Sequence, residues 1–104
     1  MFNHIKLFVL FVCALSFTGC AGPRPNLEYT FAREAIEAAK EAGAQNFAPG
    51  HWAKAEQSFR SGELLFKDNV NSEAKEQFVK ARRFAERAEN LTRLKKFESG
   101  ESFP

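Results

Sequence analysis

Cysteine and histidine are scarce in this chain, and each scarcity excludes something. Two cysteines, Cys13 and Cys20, cannot build a four-cysteine metal site or a multiply stapled fold. His51 is the only histidine after His4, so no second imidazole is at hand for a metal or a catalytic pair. A net charge of +2 is too near neutral to argue for nucleic acid. The longest apolar run, Leu7 to Phe17, is short of the roughly 20 residues that span a bilayer. No glycine-rich phosphate loop and no nucleophile motif is present. Glu37 and Glu41 are spaced as a carboxylate pair could be, but they read as exposed helix charges. An enzyme is therefore not expected.

What the chain does have is an abrupt change of composition near residue 20. Lys6 with the terminal amine, the apolar run, and then small residues at Thr18 and Gly19 divide residues 1–19 like a secretory signal. Gly22, Pro23 and Pro25 follow, and two prolines disfavour helix. Residues 20–26 thus read as a short extended spacer.

The remainder is rich in alanine and phenylalanine and follows a helical period. A first helix is expected over 27–43. Leu27, Phe31, Ala35, Ala38 and Ala42 share one face, Ala32, Ile36 and Ala39 form a second stripe, and Gly43 is the stop. Residues 44–50 read as a connection with Phe47 as a lid on the core, and Pro49 opens the next helix. That helix, 49–67, carries Trp52, Ala55, Phe59, Gly62 and Phe66 at alternating spacings of three and four, a coiled-coil-like seam. Gly62 costs about 1 kcal/mol relative to Ala in mid-helix, which points to a close helix neighbour. Asp68 to Asn71 form a turn, with Ser72 as the expected N-cap. The third helix, 73–97, has Ala74, Phe78, Ala81, Ala85 and Ala88 as its seam, flanked by Phe84 and Leu91. Residues 98–104 read as a polar tail. The fold expected is all-α: three antiparallel helices over 27–97, preceded by a signal helix.

Two groups of side chains are candidates for contact with other molecules. Trp52, Phe59 and Phe66 are either core or the lining of a groove for a partner helix or a hydrophobic ligand. Arg82, Arg83 and Arg87, continued by Arg93, Lys95 and Lys96, are either a solvated face that complements the helix dipole or a contact for anionic envelope polymers and lipid head groups. Burying each of the eight phenylalanines after Cys20 would contribute about 1.5–3 kcal/mol. Three short helices are not expected to bury them all.

The stretch Phe17-Thr18-Gly19-Cys20 resembles a bacterial lipobox, with Phe17 where that family usually has Leu. The resemblance implies cleavage between Gly19 and Cys20, and acylation of Cys20 with palmitate-like chains. It further implies removal of Cys13 with the signal, and no cofactor beyond those chains. Ala21, where Asp would favour inner-membrane retention, implies an outer-membrane anchor with the domain facing the periplasm. The domain itself resembles the bacterial lipoprotein family of the domain of unknown function numbered 4398. The residues that carry this are Ala32-Arg33-Glu34-Ala35-Ile36-Glu37-Ala38-Ala39, Ala42-Gly43-Ala44, Ala48-Pro49, Ala55, Gly62 and the alanines at 74, 81, 85 and 88. That family supplies a fold and a location but no activity. Gly62, Leu65, Ala74, Phe78 and Ala81 also resemble one tetratricopeptide repeat, although Glu86 stands where the repeat ends in proline. The expected function is a non-catalytic helical adaptor for another envelope protein. The alternatives are a structural protein that self-associates or contacts the cell wall, and a carrier of small hydrophobic ligands.

Overall fold

The computed structural model describes residues 2–15 and 22–100. It is all-helical, with five helices and no strand among the described residues: α1 (Phe2–Leu15), α2 (Asn26–Ala42), α3 (Ala44–Phe47), α4 (Pro49–Lys67) and α5 (Asn71–Glu98). α1 is apolar, its residues 2–11 are exposed, and it touches none of the other described helices. Among the described residues no helix is long and apolar enough to cross a membrane. Residues 16–19, expected to end a signal, and the acylation candidate Cys20 lie outside the described residues, as does the end of the tail, 101–104.

α5 is the centre of the domain. It packs along both α2 and α4, while α2 and α4 meet over a shorter stretch. The Glu28–Lys75 pair at one end of α2 and the Lys96–Ala42 hydrogen bond at the other show that α2 runs parallel to α5. α4 runs antiparallel to both. The seam of α5 is as its spacing suggests: Ala74, Phe78, Ala81, Ala85 and Ala88 are all fully buried. Thr92 extends this stripe by one turn, its hydroxyl donating to the Ala88 carbonyl oxygen at 2.7 Å. A buried hydroxyl so satisfied carries little desolvation cost.

The small seam lets helix axes approach closely, and Gly62 marks the tightest point. A Cβ placed on Gly62 would lie 2.7 Å from both Cδ1 and Cε1 of Phe78. The mid-helix glycine is thus the space into which the largest fully buried side chain fits. Around Phe78 stand Tyr29, Phe59 and Phe66, with ring centroids 5.4, 5.6 and 6.0 Å away. These separations suit tilted and edge-to-face aromatic contacts. Nearer the other end of α5, Ala39, Ala44, Ala48, Trp52, Ala55, Ala85 and Ala88 form a second core cluster.

Four local expectations change. In α2 the stripe that faces the core is Tyr29, Ala32, Ile36 and Ala39, whereas Leu27 and Phe31 are 67% and 43% exposed. Alanine on several faces leaves the choice to the large residues, and Tyr29 takes the interior against the Phe78 ring. The connection at 44–50 is not open loop, because it contains the short helix α3 with Ala44 fully buried. Ser72 is not an N-cap: α5 starts at Asn71 and has no side-chain cap. The side chain of Asn71 is turned instead to the Gly22 carbonyl oxygen at 3.2 Å. Finally, residues 22–25 are not a free spacer. Besides the Asn71 bond, Arg24 donates to Asn69 Oδ1 at 3.1 Å and its guanidinium sits 4.3 Å from the Phe66 ring centre, while Pro25 is buried.

Helix ends follow ordinary rules elsewhere. Gly43 has φ +95°, the left-handed conformation that ends α2. Pro49 occupies the first turn of α4, where its missing N–H is no loss.

Candidate interaction surfaces

The aromatic candidates are divided between the two ends of the domain. Trp52 is only 7% exposed and belongs to the cluster with Ala85 and Ala88. Phe59 and Phe66 are half-buried against the Phe78 ring group, and Tyr29 stacks on Phe59 at 5.5 Å. The structure therefore brings Phe59 and Phe66 together but places Trp52 in a separate cluster, so the three do not line one groove. Of the phenylalanines in the domain, Phe78 alone is fully buried among the described residues, and Phe97 is 74% exposed.

The basic candidates are divided as well. Arg82 pairs with Glu86 at 2.8 Å, and its guanidinium lies 5.2 Å from the ring centre of Phe31. Arg82 and Arg83 line a recess of about 230 Å³ that also holds Glu28 and Glu86, so carboxylates interrupt the positive surface. Arg93 pairs with Glu89. Lys95 and Lys96 act inside the molecule: the Lys95 ammonium donates to the Phe47 carbonyl oxygen, and the Lys96 ammonium to the Ala42 carbonyl oxygen at 2.5 Å. These oxygens close α3 and α2, whose C-terminal carbonyls lack intrahelical donors and carry partial negative charge. Lys96 Nζ also lies 5.3 Å from the Phe47 ring centre, so Phe47 does sit over this end of the bundle.

Arg87 stands apart from these pairs. With His51, Asn90, Leu91 and Leu94 it lines a shallow, largely apolar recess of about 320 Å³ between α4 and α5. Leu94 is 52% exposed there. His51 is half-buried with its ring 6.3 Å from Phe84, and its Nδ1 is shielded from solvent without a hydrogen-bond partner. Leu94 carried no signal in the sequence beyond its apolar character, three residues after Leu91. Among the described residues no group of three or more His, Cys, Asp or Glu side chains could hold a metal ion.

The model of a family described as "Domain of unknown function (DUF4398)" matches residues 28–99. The chain belongs to this family. The match begins in the first turn of α2 and runs through the end of α5, so the DUF4398 domain is the whole packed unit of α2 to α5 and excludes α1. No curated protein matches the chain, and no solved structure matches it. The surfaces of this DUF4398 domain therefore have to be judged on their own chemistry.

Proposed function

We propose that this chain is an outer-membrane lipoprotein whose DUF4398 domain, facing the periplasm, serves as a non-catalytic adaptor for another envelope protein. The observation that carries the reading is the division of the chain. An apolar helix, exposed over residues 2–11 and without contact to the other described helices, precedes a packed helical unit, and Gly19 and Cys20 lie between the two in the sequence. A segment left in this way by the folded domain suits a signal that is removed after export, with acyl chains on Cys20 as the lasting anchor. One acyl chain gives only marginal membrane binding and several make it stable.

The domain contributes helical surface. α2, α4 and α5 form a small bundle in which the α4–α5 hairpin packs through Gly62 and alanines, after the manner of a tetratricopeptide hairpin. A lone hairpin of that type leaves faces open, and here α2 covers one of them. The recess of His51, Arg87, Leu91 and Leu94 is the surface that fits a partner's apolar side chain beside a hydrogen-bonding or acidic group. The test is cross-linking in living cells from a photoreactive residue at Asn90, followed by purification and mass spectrometry. The adaptor reading expects one recurrent envelope protein, lost in a Leu94→Asp variant that keeps its helical content. Adducts only with itself or with cell-wall fragments would replace this reading with a structural one.

A further inference from the structure

The first described residues before α2 are bound to the turn between α4 and α5, and this has a consequence for how the domain stands on its membrane. Gly22 is tied through its carbonyl oxygen to Asn71, Arg24 is tied to Asn69 and covers Phe66, and Pro25 is buried. The chain therefore leaves the bundle at the α4–α5 turn. Only Ala21 lies between Cys20 and Gly22, and a chain spans at most about 3.6 Å per residue step, so over these two steps an anchor on Cys20 can lie no more than about 7 Å from Gly22.

We infer that the domain rests on the lipid surface end-on, with the α4–α5 turn and the first turn of α2 against the head groups. The opposite end, carrying α3 and the last turn of α5, projects outward. This rests on the lipid-anchor reading above. Apolar side chains are exposed at the turn end: Leu27 is 67%, Leu64 66% and Val70 38% accessible. Arg24, Lys67 and Lys75 are exposed cations close by, balanced by Asp68, Glu73 and the Glu28 that pairs with Lys75. Such a surface matches the apolar–polar boundary of a bilayer, and its mixed charge makes reach, not attraction to anionic lipid, the deciding factor. At 1.5 Å per residue, α5 carries Phe97 about 40 Å from Val70. The recess of Arg87 and Leu94 is thereby held well clear of the membrane, where a periplasmic partner can meet it.

The experiment uses the full chain, acylated in bacteria and reconstituted into phosphatidylethanolamine–phosphatidylglycerol vesicles with spin-labelled head groups. A fluorophore is attached at Asp68→Cys on the turn or at Gln45→Cys on α3, both exposed positions. The label at 68 should be quenched severalfold more strongly than the label at 45. Adding Asn71→Ala with Arg24→Ala should bring the two values together while circular dichroism stays unchanged. If the doubly substituted protein does not fold, the first comparison already decides. Equal quenching at 68 and 45, with acyl chains on Cys20 verified by mass, would overturn the end-on arrangement and leave the anchor standing. A mass showing Cys20 unmodified would overturn both, and it is read independently of the quenching.

Discussion

Replacing Gly62 by alanine sets two effects of opposite sign against each other. Alanine is the better helix former by about 1 kcal/mol, so a solvent-facing Gly62 would yield a more stable protein. The structure predicts the reverse. The added Cβ would lie 2.7 Å from two atoms of the Phe78 ring and 3.2 Å from a third. Phe78 is fully buried, and Tyr29, Phe59 and Phe66 surround it at 5.4 to 6.0 Å, so the ring has nowhere to retreat without moving another aromatic. Overpacking of this kind costs about 1–3 kcal/mol. The net effect is a destabilisation of up to about 2 kcal/mol, and each kcal/mol lowers the melting temperature of a domain this size by about 4–8 °C. Trp52 is the only tryptophan and is buried, so its fluorescence follows urea unfolding directly. A double-mutant cycle isolates the cause. In a Phe78→Leu background, where the ring is gone, Gly62→Ala should become neutral or stabilising by as much as about 1 kcal/mol. A gain of that size in the otherwise unaltered protein would refute the close approach of α4 and α5.

The other packing and capping predictions are simpler. Ala81→Leu places a larger side chain at a fully buried position of the α5 seam, and it should cost about 1–3 kcal/mol by urea denaturation; an unchanged curve would argue against that packing. Lys96→Met keeps the aliphatic stem but removes the ammonium that caps Ala42, and should cost about 0.3–1 kcal/mol. That loss should shrink at high salt, whereas equal losses at low and high salt would exclude the electrostatic part. Leu27→Ser alters a side chain on the open face of α2 and should stay within about 0.5 kcal/mol of the parent, while Ala32→Ser, one face away, should cost more.

Much of this fold is legible in the sequence because its punctuation is strong. Pro49 and Gly43 stand at helix boundaries, and α4 runs from Pro49 to Lys67 as its pattern indicates. The α5 seam is legible for a different reason: Phe78 and the alanines at 74, 81, 85 and 88 recur at spacings of three and four, with charged residues at most positions between them. α2 is harder. Alanine at 32, 35, 38, 39 and 42 spreads around much of the helix, and Leu27 and Phe31 pull the choice toward a face that packing leaves open. Tyr29, amphipathic by nature, belongs inside only because the Phe78 ring stands opposite. Tertiary hydrogen bonds have no local signal at all. Lys95 and Lys96 read as part of a basic surface, yet they reach carbonyls about 50 positions earlier in the chain. Asn71 reads as a turn residue, yet it holds Gly22. Of the candidate contact residues, Arg87 lies in a recess, Arg82 is occupied by Glu86 and Phe31, and Trp52 is interior.

The claim on which the functional account depends is the lipid anchor at Cys20. The direct measurement is the mass of the N-terminal peptide of the protein extracted from bacterial membranes. The account predicts a chain that begins at Cys20 and carries fatty acyl chains, and no such product from Cys20→Ala. A chain that keeps residues 1–19, with an unmodified Cys20, would contradict it.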